Sequence, residues 1–151
     1  KFVLVGASAG AHLALLQAYK YNLPVKIKAV VDFFGPTDMI DLYNNPGSVP
    51  QSSIEAIVGA TPVSNLSLYE SSSPLNFVTN QSCPTIILQG GNDPLVNAVS
   101  QSGALKDKLD LFDVVHQFVL YPGKGHGDDW DNGTYFDAFN KIQAFLAANV
   151  F

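Results

Sequence analysis

The sequence predicts an α/β fold, a parallel sheet with flanking helices. Two observations predict it. Short apolar runs alternate with helical stretches along the chain, and each apolar run ends at glycine or a glycine–proline pair. Strands that alternate with helices imply right-handed crossovers and a parallel sheet.

Phe2 to Gly6 is a brief apolar run, the pattern of a strand buried on both faces. Ala9 to Tyr21, rich in Ala and Leu, reads as a helix, with Asn22 and Pro24 as stop signals. Ile27 to Phe34 is the second strand, ended by Gly35-Pro36. From Pro36 to about Ser82 the chain is dense in Asn, Ser and Pro, with a short helix expected at Ser52–Val58. A long irregular insertion in a compact domain is usually a lid or a mobile loop, so residues 36–82 read as a lid or pocket wall. Thr85 to Gln89 is the third strand, closed by Gly90-Gly91. The next helix is expected to carry Pro94 in its first turn and to run to about Leu109. Val114 to Tyr121 is the fourth strand. The last helix is expected from about Thr134, with Phe136, Phe139, Ile142, Leu146 and Val150 on its apolar face. The strands should lie in sequential order. The helices after the first three should share one face of the sheet and the last helix should cover the other.

Composition narrows the function classes. An apolar fraction of 47% with 14% charged residues is globular, and residues 1–151 read as one domain. A net charge of −5, with Lys and Arg scattered, argues against a nucleic-acid partner. No stretch approaches the ~20 consecutive apolar residues of a membrane span. The single cysteine, Cys83, reads as a packing residue. The chain opens inside an apolar strand, at Lys1, from which upstream sequence is expected. The compartment is therefore open between cytoplasm and secretion.

Gly6-Ala7-Ser8-Ala9-Gly10 is a G-x-S-x-G sequence between a strand and a helix. Such a turn pushes the serine oxygen out at the helix N-terminus and leaves the next N–H, that of Ala9, free to hold an oxyanion. The glycines at both ends should avoid collisions with neighbouring backbone. A capping serine or a phosphate-binding turn would use similar residues, but the Lys of a P-loop and the G-x-G-x-x-G spacing are absent. Asp93 follows the third strand in a glycine-rich loop, and His126 follows the fourth in Gly123-Lys124-Gly125-His126-Gly127. The order Ser, acid, His, each at a strand end, is that of a nucleophile, its orienting acid and its base.

With these residues in view, the chain resembles the esterases and lipases of the α/β-hydrolase fold. The hormone-sensitive-lipase-like and feruloyl-esterase-like carboxylesterases are the most similar groups. Gly6 to Ala14 and the loops around Asp93 and His126 carry the resemblance, which covers nearly the whole chain and is weakest in the lid. Ala11 stands where such enzymes often have Gly. The resemblance implies a partial domain: the first strands, and a His-Gly-Gly-type loop with the second oxyanion donor, would lie upstream. That missing segment, or another chain, would pair with the open sheet edge. It implies hydrolysis of a small-molecule ester through an acyl-enzyme, with Ser8 as nucleophile, His126 as base, Asp93 as acid and no cofactor or metal. A serine peptidase, an acyltransferase and a non-catalytic ligand-binding domain are the alternatives.

Other candidates read as structural. His12 lies one turn into the first helix, and His116 lies inside a strand. Asp38, after the second strand, is the alternative acid. Asp128, Asp129 and Asp131 follow His126 and suggest either a metal group or, more simply, a cap for the last helix. Trp130 beside them could line the site or pack on the lid. Asn65-Leu66-Ser67, Asn80-Gln81-Ser82 and Asn132-Gly133-Thr134 match the glycosylation pattern.

Overall fold

A computed structural model describes residues 2–21 and 27–151. The stop signals expected at Asn22 and Pro24 lie outside the described residues. Strands β1 (Phe2–Ala7), β2 (Ile27–Phe33), β3 (Thr85–Gly90) and β4 (His116–Tyr121) form a four-stranded sheet in the order β1-β2-β3-β4. All pairings are parallel, with Leu4 opposite Val30, Val31 opposite Ile86 and Leu88 opposite Val119. The sequential parallel order agrees with the sequence.

The two faces of the sheet carry different cores. On one, α1 (Ala9–Tyr19) and α5 (Ala104–Leu111) bury Leu15, Ala18, Leu105 and Leu109 against Val30 and Ile87. On the other, α6 (Asn132–Asn149) buries Ala138, Ile142 and Phe145 against Val31, Ile86 and Leu88. The sequence placed the last helix on its own face correctly and named Ile142 and Leu146 of the packed stripe, but it misread two of the aromatic residues. Phe136 and Phe139 are 70% and 57% exposed. The buried stripe runs through Ala138, Ile142 and Phe145, of which only Ile142 was expected. α6 also starts earlier than expected, because Asp131 caps it by accepting the Thr134 N–H at 2.8 Å.

β1 lies at the sheet edge, and Phe2 and Val5 are exposed. The strand is therefore not buried on both faces among the described residues. β2 and β3, with neighbours on both sides, are.

Residues 36–82 are more regular than their composition suggested. They hold α2 (Met39–Asn44), α3 (Gln51–Val58), α4 (Leu66–Ser71) and a 3-10 turn (Pro74–Phe77). Met39, Leu42, Ile54 and Tyr69 form a core of their own, separate from both sheet faces. The segment joins the core of the α1/α5 face at Leu75 and Val78. After β3, Pro94 lies in a loop and not in a helix. The next helix opens with a π-helical stretch, Ala98–Gly103, capped by the Asn97 side chain, before α5.

Candidate active site

Ser8 joins β1 to α1 with φ 54° and ψ −124°. A non-glycine residue in that region costs on the order of 1–3 kcal/mol, which the surroundings must overcome. The Ser8 N–H donates to the Phe33 carbonyl at 2.8 Å, and the Ser8 carbonyl accepts from the N–H groups of Ala11 and His12. These bonds hold the turn. The Ser8 side chain makes no cap bond to its own helix. It is directed elsewhere, which excludes the capping role. The glycines on either side differ. A Cβ at Gly6 would overlap the Gly10 carbonyl and the Ala11 nitrogen, whereas one at Gly10 would meet open space. Only the first glycine is demanded by neighbouring backbone, contrary to the expectation for both.

The Ser8 hydroxyl donates to His126 Nε2 at 2.8 Å, and His126 Nδ1–H donates to Asp93 Oδ2 at 2.7 Å. The imidazole tautomer follows from its partners, because the carboxylate can only accept. Asp93 is withdrawn from solvent and His126 nearly so, at 0% and 12% side-chain exposure. Burial pushes the Asp93 carboxyl up. Hydrogen bonds from His126, Val96 and Leu95 outweigh it, and the net shift is below the ordinary carboxylate value. Asp93 Oδ1 accepts the Leu95 and Val96 N–H groups at 2.8 and 2.9 Å, and Gln89 Nε2 donates to Oδ2 at 3.0 Å. The carboxylate thus stays ionised and fixed.

The loops after β3 and β4 are stitched together. Gly91 N–H donates to the Tyr121 carbonyl and Asn92 N–H to that of Lys124. A side chain at Gly90 would collide with the Lys124 and Gly125 backbone, so that glycine permits the approach. The Gly125 N–H donates to the Asp129 carboxylate, and Trp130 Nε1–H donates to the Gly125 carbonyl at 3.0 Å. Trp130 is buried among Phe33, Phe34, Tyr121 and Tyr135 and so braces the histidine loop from behind. Phe34, itself at φ 45°, sets its ring 4.6 Å from that of His126.

Ala9 opens α1, so its N–H is among the first-turn amides that lack an intrahelical acceptor. Beside Ser8 and Ala9 lies a cavity of about 160 Å³, walled by residues of the 36–58 stretch and by Leu95 and Val96.

The model of the BD-FAE family matches residues 1–109 of this fold. The chain belongs to the BD-FAE family. A curated relative of this BD-FAE chain is the esterase LipQ of Mycobacterium tuberculosis. It is 27% identical over 117 residues, which cover 69% of this chain and 28% of LipQ. The chain therefore spans well under a third of that relative. Among solved structures, a puromycin-hydrolyzing peptidase of Mycobacterium tuberculosis superimposes with a TM-score of 0.83 at 22% identity. The match covers 99% of this chain and 22% of that one. Esterase 2 of Thermogutta terrifontis gives 0.76 at 19% identity, covering 99% and 55%. These likenesses show the α/β-hydrolase fold.

The remaining candidates of the BD-FAE chain have structural positions. Asp38 caps α2, its Oδ1 accepting the Ile40 and Asp41 N–H groups at 2.9 and 3.1 Å. His12 Nε2–H donates to the Ser72 carbonyl at 2.7 Å, tying α1 to the helical segment; burial lowers its pKa. His116 Nδ1–H donates to the Val114 carbonyl at 2.8 Å. Asp129 and Asp131 hold backbone amides of the loop and of α6. Cys83 is buried, which pushes its thiol up to about 11. The sequence did not flag Gln89 or Phe34, and it read Trp130 as lining the site or packing on the lid. Gln89 and Trp130 bond near neighbours in the chain, Asp93 and Gly125, but no local motif marks those pairs.

Proposed function

We propose that this BD-FAE chain carries the catalytic residues of a carboxylic-ester hydrolase acting through an acyl-enzyme. The observation that supports it most is the continuous hydrogen-bond path from the Ser8 hydroxyl through His126 to the Asp93 carboxylate, starting from a strained turn that serves no capping role. In this reading His126 Nε2 takes the Ser8 proton as the oxygen attacks the ester carbonyl. Asp93 holds the tautomer and stabilises the imidazolium. The Ala9 N–H faces the developing oxyanion, and His126 returns the proton to the departing alcohol and then activates water.

A serine nucleophile of this geometry also serves amide hydrolysis and acyl transfer. The esterase reading is preferred because the curated relative LipQ is an esterase. The 36–82 segment, helical and with its own core, serves in this reading as a lid over the cavity. The open edge of β1, with Val5 exposed, is read as the place where a further strand pairs, from the same polypeptide or another chain. A neighbouring loop there would supply the second oxyanion donor.

A fluorophosphonate probe tests the nucleophile directly. Stoichiometric labelling on Ser8, lost in Ser8→Ala and His126→Ala, is expected together with hydrolysis of nitrophenyl esters. Hydrolysis of esters by a chain that the probe does not label on Ser8 would overturn the assignment.

A further inference from the structure

We infer that Gln101 is a positioning residue for the proposed hydrolysis. Together with Ser102 it ties the start of the helical segment 36–82 to the carboxylate of Asp93, so that the seating of that segment and the alignment of His126 depend on each other. The inference rests on the hydrolase reading of Ser8 and extends it to a residue that acts through others.

The stretch after β2 creates the need. Residues 34–38 run from β2 to α2 without regular structure, so their backbone groups must find partners elsewhere. Gln101, 64 residues from Thr37 along the chain, supplies them for Thr37 and Asp38. Its Oε1 accepts the two N–H groups at 2.7 and 2.9 Å. Its Nε2 donates to the Asp38 carbonyl at 3.0 Å and to Asp41 Oδ2 at 2.7 Å. Two donated and two accepted bonds exhaust what a side-chain amide can offer. The Thr37 hydroxyl adds a bond to the Gln101 carbonyl at 2.9 Å. Gln101 and Thr37 are fully buried, so water cannot replace a lost partner.

The next residue faces the acid. Ser102, also fully buried, donates its hydroxyl to Gln89 Oε1. Gln89 Nε2 donates in turn to Asp93 Oδ2, the oxygen that accepts the His126 Nδ1–H. Gln101 and Ser102 sit in the π-helical stretch Ala98–Gly103, and π-helical turns occur often at functional sites. The series from Thr37 to His126 passes only through side chains that are buried or nearly so. In a close-packed interior a shift at one end is passed on to the other.

A plain anchor would behave differently. If Gln101 only held the segment, its loss would loosen the cavity wall, raise KM and leave the chemistry at Ser8 untouched. A positioning role lowers kcat and slows the attack of Ser8 on a small probe, with KM little changed.

The test measures kcat and KM on nitrophenyl acetate and the rate at which diisopropyl fluorophosphate labels Ser8. Gln101→Glu keeps the shape of the side chain but sets a carboxylate oxygen against that of Asp41, 2.7 Å from the amide nitrogen it replaces. It should lower kcat and the labelling rate about tenfold, within the ~10²-fold that a small misplacement of reacting groups can cost. Gln101→Glu with Asp41→Asn lets amide and carboxylate exchange places and should restore most of the rate. In Ser102→Ala the link to Gln89 is already cut. Adding Gln101→Glu there should change labelling by less than about twofold, because members of one series are not additive. Tyr43→Phe loses a hydroxyl bonded to Glu55 inside the segment and should label at the parent rate. Should Gln101→Glu fail to fold, Thr37→Val removes the Thr37 hydroxyl at constant shape and should slow labelling in the same direction, and the parent rate there would overturn the inference. Labelling of Gln101→Glu at the parent rate, with or without a raised KM, would overturn it too. So would no recovery with Asp41→Asn, a full loss added on top of Ser102→Ala, or equal slowing in Tyr43→Phe. Absence of Ser8 labelling in the parent would instead overturn the hydrolase reading.

Discussion

Gln89 Nε2 lies 3.0 Å from Asp93 Oδ2, the same oxygen that accepts the His126 Nδ1–H. The other end of that amide is held as well, since the Ser102 hydroxyl donates to Gln89 Oε1 at 2.6 Å. Gln89 is fully buried at the end of β3, so the pair forms a rigid support behind the carboxylate. Gln89→Leu would leave a buried carboxylate oxygen short of one donor, a loss of about 1.5–3 kcal/mol for a charged hydrogen bond. If the acid acts through His126, kcat should fall about 10- to 100-fold. Fluorophosphonate labelling of Ser8 should slow by a similar factor, because that step depends on His126 as base. A loss of kcat with labelling at the parent rate would mean that Gln89 supports the loop alone.

Ser8 stores strain that a glycine would relieve. Ser8→Ala and Ser8→Gly should both abolish ester hydrolysis, but they should differ in stability. Alanine at φ 54° keeps the strain of the serine, whereas glycine populates that region freely. Thermal unfolding should place the glycine variant above the alanine variant by up to ~1 kcal/mol. The reverse order would show that the turn is not strained.

The two glycines flanking the serine separate a steric requirement from a motif. Gly6→Ala drives a Cβ into the backbone of Gly10 and Ala11. It should cost at least ~1–3 kcal/mol, as overpacking does, and displace Ser8. Gly10→Ala meets open space within α1 and should gain up to ~1 kcal/mol from helix propensity. Urea unfolding of the two variants, with Ser8 labelling rates, checks both.

The contrast at Gly6 and Gly10 shows what the sequence could and could not reveal. Ser8, Asp93 and His126 were legible because each follows an apolar run that ends at glycine, and strand ends of a parallel sheet gather on one edge. Of the regular structure of residues 36–82, the helix expected at Ser52–Val58 was legible and is α3, whereas α2 and α4 were not. Asn, Ser and Pro there do opposing work. Asp38 and Pro50 start helices, and Gly59 ends one at φ 90°, while composition reads them only as loop residues. Of the α6 face, Ile142 and Leu146 were legible, whereas buried Ala138 was missed because it carries little hydrophobic weight. Gln89 and Trp130 have polar roles toward partners only four and five residues away, Asp93 and Gly125, but those contacts depend on loop shapes that residue types alone do not show.

Asp32 gives a prediction in pH. It is fully buried on β2, with Oδ1 accepting the Gly35 N–H at 2.8 Å and Oδ2 without a partner among the described residues. Burial pushes its carboxyl up to about 7, against the opposing Gly35 bond. A carboxyl raised in the folded state binds a proton there that the unfolded chain has released. Its contribution to stability is therefore largest below about 4 and falls as pH rises from about 4 to about 7. Tyr19 and Cys83, also pushed up by burial, titrate above that window. Asp32→Asn should remove this dependence. The melting temperature of the variant minus that of the parent should rise across the window and stay level outside it. A flat difference from pH 4 to 8 would place the Asp32 pKa near its ordinary value.

The brace behind His126 can be loosened without touching Ser8, His126 or Asp93. Trp130→Phe keeps an aromatic ring beside Phe34 and Tyr121 but removes the Nε1–H that holds the Gly125 carbonyl. That carbonyl belongs to the residue before His126, so its lost partner should be felt as a shift of the imidazole. A small misplacement of a reacting group costs up to ~10²-fold in rate. The expected result is a kcat about tenfold lower with KM little changed, because the cavity wall contains neither residue. Fluorophosphonate labelling of Ser8 should slow by the same factor, since in the proposed mechanism that reaction depends on His126. Tyr121→Phe is the matched control. It loses a hydroxyl that donates to Asp137 on α6, away from the histidine loop, and should leave the labelling rate as it was. Labelling of Trp130→Phe at the parent rate would mean that the hydrogen bond His126 donates to Asp93 is enough to hold the imidazole in place.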